Sequence, residues 1–448
     1  MNYTQVSDTQ VERMLETIGA GSVEELFSRI PDGQRLRHPL DVPAGISELE
    51  LLADLRSLAG KNRTCRDAVC FLGAGAYDHF IPTIVDHLAM RGEFRTAYTP
   101  YQAEASQGAL QAFYEYQTMI CQLTGMEAAN ASLYEHASAV AEAVLMAASV
   151  TRRTRVVISS ATHPDSRTVL RTYLNERDFG LAEVGVRDGA TDLTALKAVV
   201  GPPTAAVVVQ WPNFFGSLEP LDEVVKIAHD AGALAVVSAD PVACALFKPP
   251  GDYGADVVIG EGQPLGIPLS YGGPYLGLFA CRRAYLRKMP GRVVSEVRDA
   301  EGRRGFCLVL QTREQHIRRE KATSNVCTNQ GLMALRAAVY LAAMGRQGLA
   351  EAASQCLDKA HYAAAEIARL EGYRLRFATP FFKEFVVQTD RGVERVLEHC
   401  RDASILAGVP LDGWYRDLND CFAVAVTEKR TRREIDALVE SLANVGLR

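Results

Sequence analysis

Four short aliphatic runs constrain the fold of this chain more than anything else in it: RVVISS (155–160), AAVVVQ (205–210), LAVVSAD (234–240) and ADVVIG (255–260). Each is nearly continuous in apolar residues rather than alternating, so both faces of each strand must be covered. Between them lie stretches with helical spacing, RTVLRTYLNERD and LDEVVKIAHDAG. Buried strands alternating with crossover helices predict a mainly parallel α/β sheet.

The flanks read differently. The first 65 residues read as an N-terminal helical arm, with a capping-box pattern at Ser22–Glu25 and a second helix from about Leu49. A large domain follows over 66–328. In it GALQAFYEYQTMICQLTG is a helix closed by Gly125, and Ala137–Val150 is a helix so rich in small apolar residues that it must be buried on most sides. Arg287–Lys321 reads as a long basic linker. A helix beginning near Thr328 leads into a smaller α+β domain, 329–448, with strands FFKEFVVQ and FAVAVTE and a last helix RTRREIDALVESLA.

Composition removes several function classes. A net charge of −6 over 448 residues argues against nucleic-acid or acidic-membrane binding. No apolar run reaches the roughly 18–20 residues of a membrane span, and the polar N-terminus lacks a signal core, so a cytoplasmic location is expected. The ten cysteines are scattered and the nine histidines form no HExxH, so no metal site is expected and the cysteines read as small buried hydrophobes.

Ligands of open parallel sheets bind beyond the carboxyl ends of the strands. The ends here offer His163, Trp211, Asp240 and the loop Gly260–Gln263. A ring that can stack, then an Asp, then a loop residue after the next strand is the layout of the large fold that binds pyridoxal phosphate (PLP). There an Asp pairs with the ring nitrogen and a later lysine forms the Schiff base. Asp240 suits the first role. Of the nine lysines none falls between 249 and 287, and Gln263 occupies the lysine position. An amide nitrogen is not a nucleophile, so the layout is present without its reactive group.

FLGAGAYDHFIP, YTPYQAEASQGALQAFYEYQTMICQLTGMEAANAS, PLSYGGPYLG and HIRREKATSNVCTNQ resemble the P-protein family of the glycine cleavage system, most closely its separate subunit 1, or alpha chain. The resemblance runs along nearly the whole chain. It implies the PLP-dependent transferase-like fold (fold type I) and a glycine dehydrogenase (decarboxylating) shared between two homologous subunits. It further implies that this chain binds no PLP covalently, and that the lysine and PLP belong to the partner, subunit 2. Glycine would lose its carboxylate as CO2, and its aminomethyl remainder would pass to the lipoyl group of the H-protein. One departure stands out. Relatives have a small Asp-Gly-Ala-Thr-type turn where this chain has Tyr134-Glu135-His136-Ala137-Ser138. The added bulk argues against a phosphate cup.

On that reading His136, His163 and Asp240 are a vestigial pocket. Tyr98, Thr99, Pro100, Tyr101, Gln102 and Glu104 form a proline-stiffened loop contributed to the partner's active site. The plainer reading is a packed loop capping the following helix, with Glu104 paired to an arginine. Thr323, Ser324, Asn325 and Thr328 precede a helix and suit the partner's PLP phosphate, or merely cap that helix. Two further functions stay open: a free-standing PLP enzyme using Lys288 or Lys321, and a structural or regulatory subunit that lends no active-site residue.

Overall fold

The computed structural model describes residues 5–446 except 39, 96–98, 323 and 327–329, so Tyr98, Thr323, Cys327 and Thr328 lie outside the described residues. The chain forms two compact units, Met1–Arg63 and Thr64–Arg448.

The first unit holds α1 (Asp8–Ile18) and α2 (Glu48–Ala59), each opened by a complete capping box, Ser7 with Gln10 and Ser47 with Glu50. The box expected at Ser22 is half-formed. Glu25 N–H donates to Ser22, but the Glu25 carboxylate turns to Gly21 N–H and only one 3-10 turn follows.

The second unit is built on seven strands: β1 (Ala128–Ala129), β2 (Arg155–Ser159), β3 (Gly180–Val184), β4 (Thr204–Trp211), β5 (Leu234–Ala239), β6 (Val257–Glu261) and β7 (Gly277–Cys281). Their order is β1-β7-β6-β5-β4-β2-β3, and β7 runs antiparallel to both neighbours. Successive side chains explain the apolar runs. Val157, Val207, Val209, Val237 and Val258 face one core, while Val156, Ile158, Val208, Val236 and Ile259 face another. The first core is closed by α3 (Gln107–Thr124), by α6 (Leu221–Asp230) and by the start of α7 (Gly331–Ile367). The second is closed by α4 (His136–Thr151) and α5 (Pro164–Leu174). Helix α3 ends at Gly125 with φ +72°, the left-handed cap read from the sequence.

The basic stretch after β7 is no linker. It contains an antiparallel hairpin, β8 (Val293–Arg298) and β9 (Arg304–Val309), whose Val294, Phe306 and Leu308 pack on Leu110 of α3. Its apolar pattern is broken by charged residues on the core-facing side itself: Glu296, Arg298 and Arg304 share the face of Val294, Phe306 and Leu308, toward the turn end of the hairpin. Beyond α7, which is kinked at Gly345, comes an antiparallel sheet of β10 (Tyr373–Leu375), β11 (Glu384–Thr389), β12 (Val409–Pro410) and β13 (Cys421–Ala425), in the order β10-β11-β13-β12. Helices α8 (Val393–Asp402) and α9 (Arg432–Ala443) cover one face. Of the described cysteines, 70, 244, 281, 356, 400 and 421 are buried and none is in a disulfide.

The two sheets touch where Gly216, just past β4, meets the start of β11. Phe382 N–H donates to Gly216 C=O, and a Cβ at Gly216 would overlap the Glu384 carbonyl. Gly216 also has φ +80°. Gly216→Ala is therefore expected to lower stability by at least about 2 kcal/mol, seen as a fall in the midpoint of urea unfolding. An unchanged midpoint would mean that the contact yields without cost.

Candidate functional site

The carboxyl ends of β4, β5 and β6, the loop Ala74–Tyr77, the starts of α4 and α5, and Phe382–Glu384 surround a cavity of about 320 Å3. His136, His163 and Asp240 line it, so the structure brings together three residues from separate elements. Gln263 does not line it. Its side chain is buried beneath the loop: Oε1 accepts from Tyr77 N–H (2.9 Å), while Nε2 donates to Tyr77 C=O (3.1 Å) and Ile267 C=O (2.8 Å). The amide holds both polar groups of one residue, which a lysine, a donor only, cannot do. Neither Lys288 nor Lys321 lines the cavity; both lie along a different, basic hollow.

Asp240 is already paired. The ammonium of Lys383, 2 % exposed, reaches in from the start of the second sheet and donates to Asp240 Oδ2 at 2.6 Å. It also donates to His79 Nε2 at 2.9 Å and lies 3.9 Å over the Tyr77 ring. Burial alone would raise Asp240, but the adjacent ammonium overrides it and holds the carboxyl below its usual range. An ammonium has only donors, so His79 Nε2 accepts and Nδ1–H donates to Glu428 (2.6 Å). Cys356 Sγ completes the chain on the same Glu428 oxygen at 3.3 Å. His79, Cys356 and Glu428 are close enough to share a metal ion. A metal on Nδ1 would leave Nε2–H pointing at the ammonium, so this donor set suits a hydrogen-bond relay instead.

The sequence reading missed Lys383. The available signal was a charged pair, Lys383-Glu384, inside an aromatic and aliphatic run. Glu384 also turns into the cavity wall, accepting from Ala74 N–H (2.7 Å) and the Tyr77 hydroxyl (2.9 Å), and burial pushes it up to about 7.

The start of α4, where a phosphate would sit, is occupied by side chains. The Glu135 carboxylate caps Ser138 N–H (2.9 Å), and Glu261 accepts from His136 N–H (3.1 Å). Glu261 also takes Gln263 N–H and Leu276 N–H, stitching the two ends of the glycine-rich loop together. The His136 ring bridges Ser166 (2.9 Å) and Ser238 (2.6 Å), and burial pushes it down to about 3. His163 Nε2 bonds the Ala74 carbonyl (2.9 Å), its Nδ1 caps α5, and its ring packs on Phe214. These residues do not fit PLP. The partner for a ring nitrogen holds a lysine, the amine for a Schiff base is absent among the lining residues except for that same paired lysine, and two carboxylates stand where a phosphate would be.

The loop Thr99–Glu104 lies elsewhere in the unit and does not line this cavity. Pro100 is buried, whereas Tyr101, Gln102 and Glu104 are exposed. Tyr101 is nonetheless fixed: the buried Arg292 donates to its hydroxyl (2.9 Å) and stacks over its ring, and His316 packs on its edge. Gln107 ties the following helix to β9 by bonding both polar groups of Phe306. Glu104 makes no ion pair with a described residue, unlike the surface pairing entertained for it. Ser324 accepts from Val326 N–H and Asn325 is exposed.

The family description matching this chain is the glycine cleavage system P-protein, over residues 1–442. The chain belongs to that family. It is 50% identical over 446 residues to a probable glycine dehydrogenase (decarboxylating) subunit 1 of Desulforamulus reducens, covering 100% of both chains. It is also 50% identical over 442 residues to a protein of the same description from Carboxydothermus hydrogenoformans, with 99% of each covered. Among solved structures it is similar to a glycine decarboxylase (P-protein) in inhibitor-bound form, with TM-score 0.92 and 44% identity over 99% of this chain and 100% of that one. A sphingosine-1-phosphate lyase shares the fold alone, at 16% identity and TM-score 0.67 over 93% and 94% of the two chains. The strand order with one antiparallel member is thus the PLP-dependent transferase fold type I, carried by a P-protein chain of the subunit 1 kind.

Two expectations follow from this P-protein cavity. Lys383→Met removes the cation and leaves Asp240 buried without a counter-charge, which is expected to cost about 3–5 kcal/mol; a loss under 1 kcal/mol would show that the pair is dispensable. His136 is neutral when folded down to about pH 3 and protonates near 6.5 when unfolded, so its share of stability is present above 6.5 and is lost as pH falls toward 3. That slope reaches up to about 1.4 kcal/mol per pH unit. In His136→Gln the fall in urea midpoint between pH 6.5 and 4 is expected to be shallower than in the parent; an identical slope would reject the assignment.

Proposed function

We propose that this chain is the subunit of a heteromeric glycine decarboxylase that has surrendered its own cofactor site and works through a homologous partner. The partner holds PLP and its lysine, and bound PLP supplies the electron sink for loss of the glycine carboxylate. The aminomethyl group then passes to the lipoyl arm of the H-protein. The observation that carries the first half is the Lys383–Asp240 pair, which fills the cofactor's anchoring position with a side chain of the protein.

What this chain lends is the loop Tyr98–Glu104. An exposed tyrosine held by a buried guanidinium has lost its freedom before any partner arrives, which is how interface anchors bind with a small entropy cost. Tyr101 and Glu104 then orient glycine or meet the lipoyl arm at the partner's site. Thr323, Ser324, Asn325 and Thr328, just before α7, approach the partner's PLP phosphate with hydroxyl and N–H donors.

The test is reconstitution with the partner subunit and lipoylated H-protein. Tyr101→Phe with Glu104→Gln is expected to lower glycine–bicarbonate exchange at least about tenfold, with the complex still assembling by size-exclusion chromatography. Undiminished exchange would favour a purely structural subunit. A yellow imine absorbance from this chain purified alone would overturn the cofactor-free reading.

A further inference from the structure

A second hollow, of about 120 Å3, lies where the segment after β7 meets the segment before α7. Its wall carries five cations, Arg287, Lys288, Arg313, Arg318 and Lys321, against a single carboxylate, Glu314. The chain as a whole is acidic, at −6. A local excess of four positive charges therefore does not follow from a generally basic surface.

The carboxylate does little to neutralise them. Glu314 is directed to Arg292 (3.9 Å) and His316 (3.6 Å), which are not part of the wall. Arg287, Lys288, Arg318 and Lys321 make no ion pair with any described residue. Arg313 is locked by main-chain carbonyls: it donates to Met289, Gly291 (3.0 Å) and Leu310 (3.1 Å), so its charge is held at the wall, with the adjacent Glu314 as the one carboxylate that acts on it. Like charges drawn from two segments, with one carboxylate against five cations, raise the free energy of the empty hollow, and a bound anion removes that cost. The volume corresponds to a few waters at about 30 Å3 each, room for one tetrahedral oxyanion. Guanidinium groups match such oxygens in pairs.

We propose that this hollow binds a single phosphate group, as inorganic phosphate or as a phosphate monoester. The site shares only Ser324 with the segment assigned to the partner's cofactor and is complete on this chain. Its test therefore uses the full-length chain alone, and its failure leaves the proposed function untouched.

The experiment is isothermal titration with inorganic phosphate at ionic strength held constant with sodium chloride, with acetate and phenyl phosphate as separate arms. Saturable one-to-one binding of phosphate is expected, with acetate at least about tenfold weaker. The phenyl phosphate arm distinguishes the two sources: binding as tight as inorganic phosphate means that the hollow accepts an ester, and exclusion of the ester means that free phosphate is the ligand. Arg318→Gln/Lys321→Gln, and separately Arg287→Gln/Lys288→Gln, are expected to weaken binding at least about tenfold. Arg152→Gln/Arg155→Gln, at a different basic surface, is expected to leave it unchanged. Circular dichroism verifies that each variant folds. Acetate binding as tightly as phosphate, no saturable heat, or an equal loss in the Arg152/Arg155 variant would overturn the proposal.

Discussion

The ion pair between Lys383 and Asp240 organises the second unit. It joins the carboxyl end of β5 to the start of β11, so one buried contact links the large sheet to the small one. A buried ammonium is strongly unfavourable unless its donors are met, and here they meet a carboxylate, a histidine and a tyrosine ring. The histidine in turn fixes Glu428, and Glu428 fixes Cys356 of α7. Donors and acceptors are therefore matched along a chain of partners rather than at one point, which is the condition under which a buried pair holds geometry despite its desolvation cost.

That arrangement lets the protein's own side chains meet the polar groups that line the cavity. In a fold whose ligand anchors both a sheet end and a helix start, losing the ligand leaves an unpaired carboxylate and unpaired N–H groups. This chain supplies both replacements internally: an ammonium for the ring nitrogen, and the Glu135 and Glu261 carboxylates for the phosphate. Glu261 meets those N–H groups as an acceptor while burial pushes it up to about 8.

The strands of the large sheet and helices α3 and α4 were legible in the sequence, because burial on two faces leaves unbroken aliphatic runs and Gly125 marks a left-handed cap. That the loop after β6 carries Gln263 and no lysine was equally plain, since it is a question of residue type. What could not be read were contacts between distant segments. Lys383 looked like one charge in a strand, its role depending on Asp240 in the other sheet. The β8–β9 hairpin reads as a linker because Glu296, Arg298 and Arg304 interrupt the very face that carries Val294, Phe306 and Leu308. The capping box was placed at Ser22 because the local pattern is the same as at Ser7 and Ser47, and only the conformation of the following residues separates them. Arg292 was invisible for the same reason as Lys383: what makes it matter is the tyrosine it holds.

Gln263 is more than the absence of a lysine. Its amide accepts from Tyr77 N–H and donates to Tyr77 C=O, and that exchange holds the loop Ala74–Tyr77 down over the glycine-rich turn. A glutamate there would place its charge against the Tyr77 carbonyl. An asparagine is one carbon too short to make the same pair. A lysine would leave the Tyr77 N–H without its acceptor, at a cost of about 1–3 kcal/mol for a buried donor. It would also put a second ammonium beside a cavity whose ring-nitrogen position is already filled by one. Restoring the nucleophile alone therefore cannot restore a cofactor site. The loop, the lysine that pairs with Asp240 and the two acidic side chains at the start of α4 would all have to change together, because each is bonded to groups that the next one holds in place.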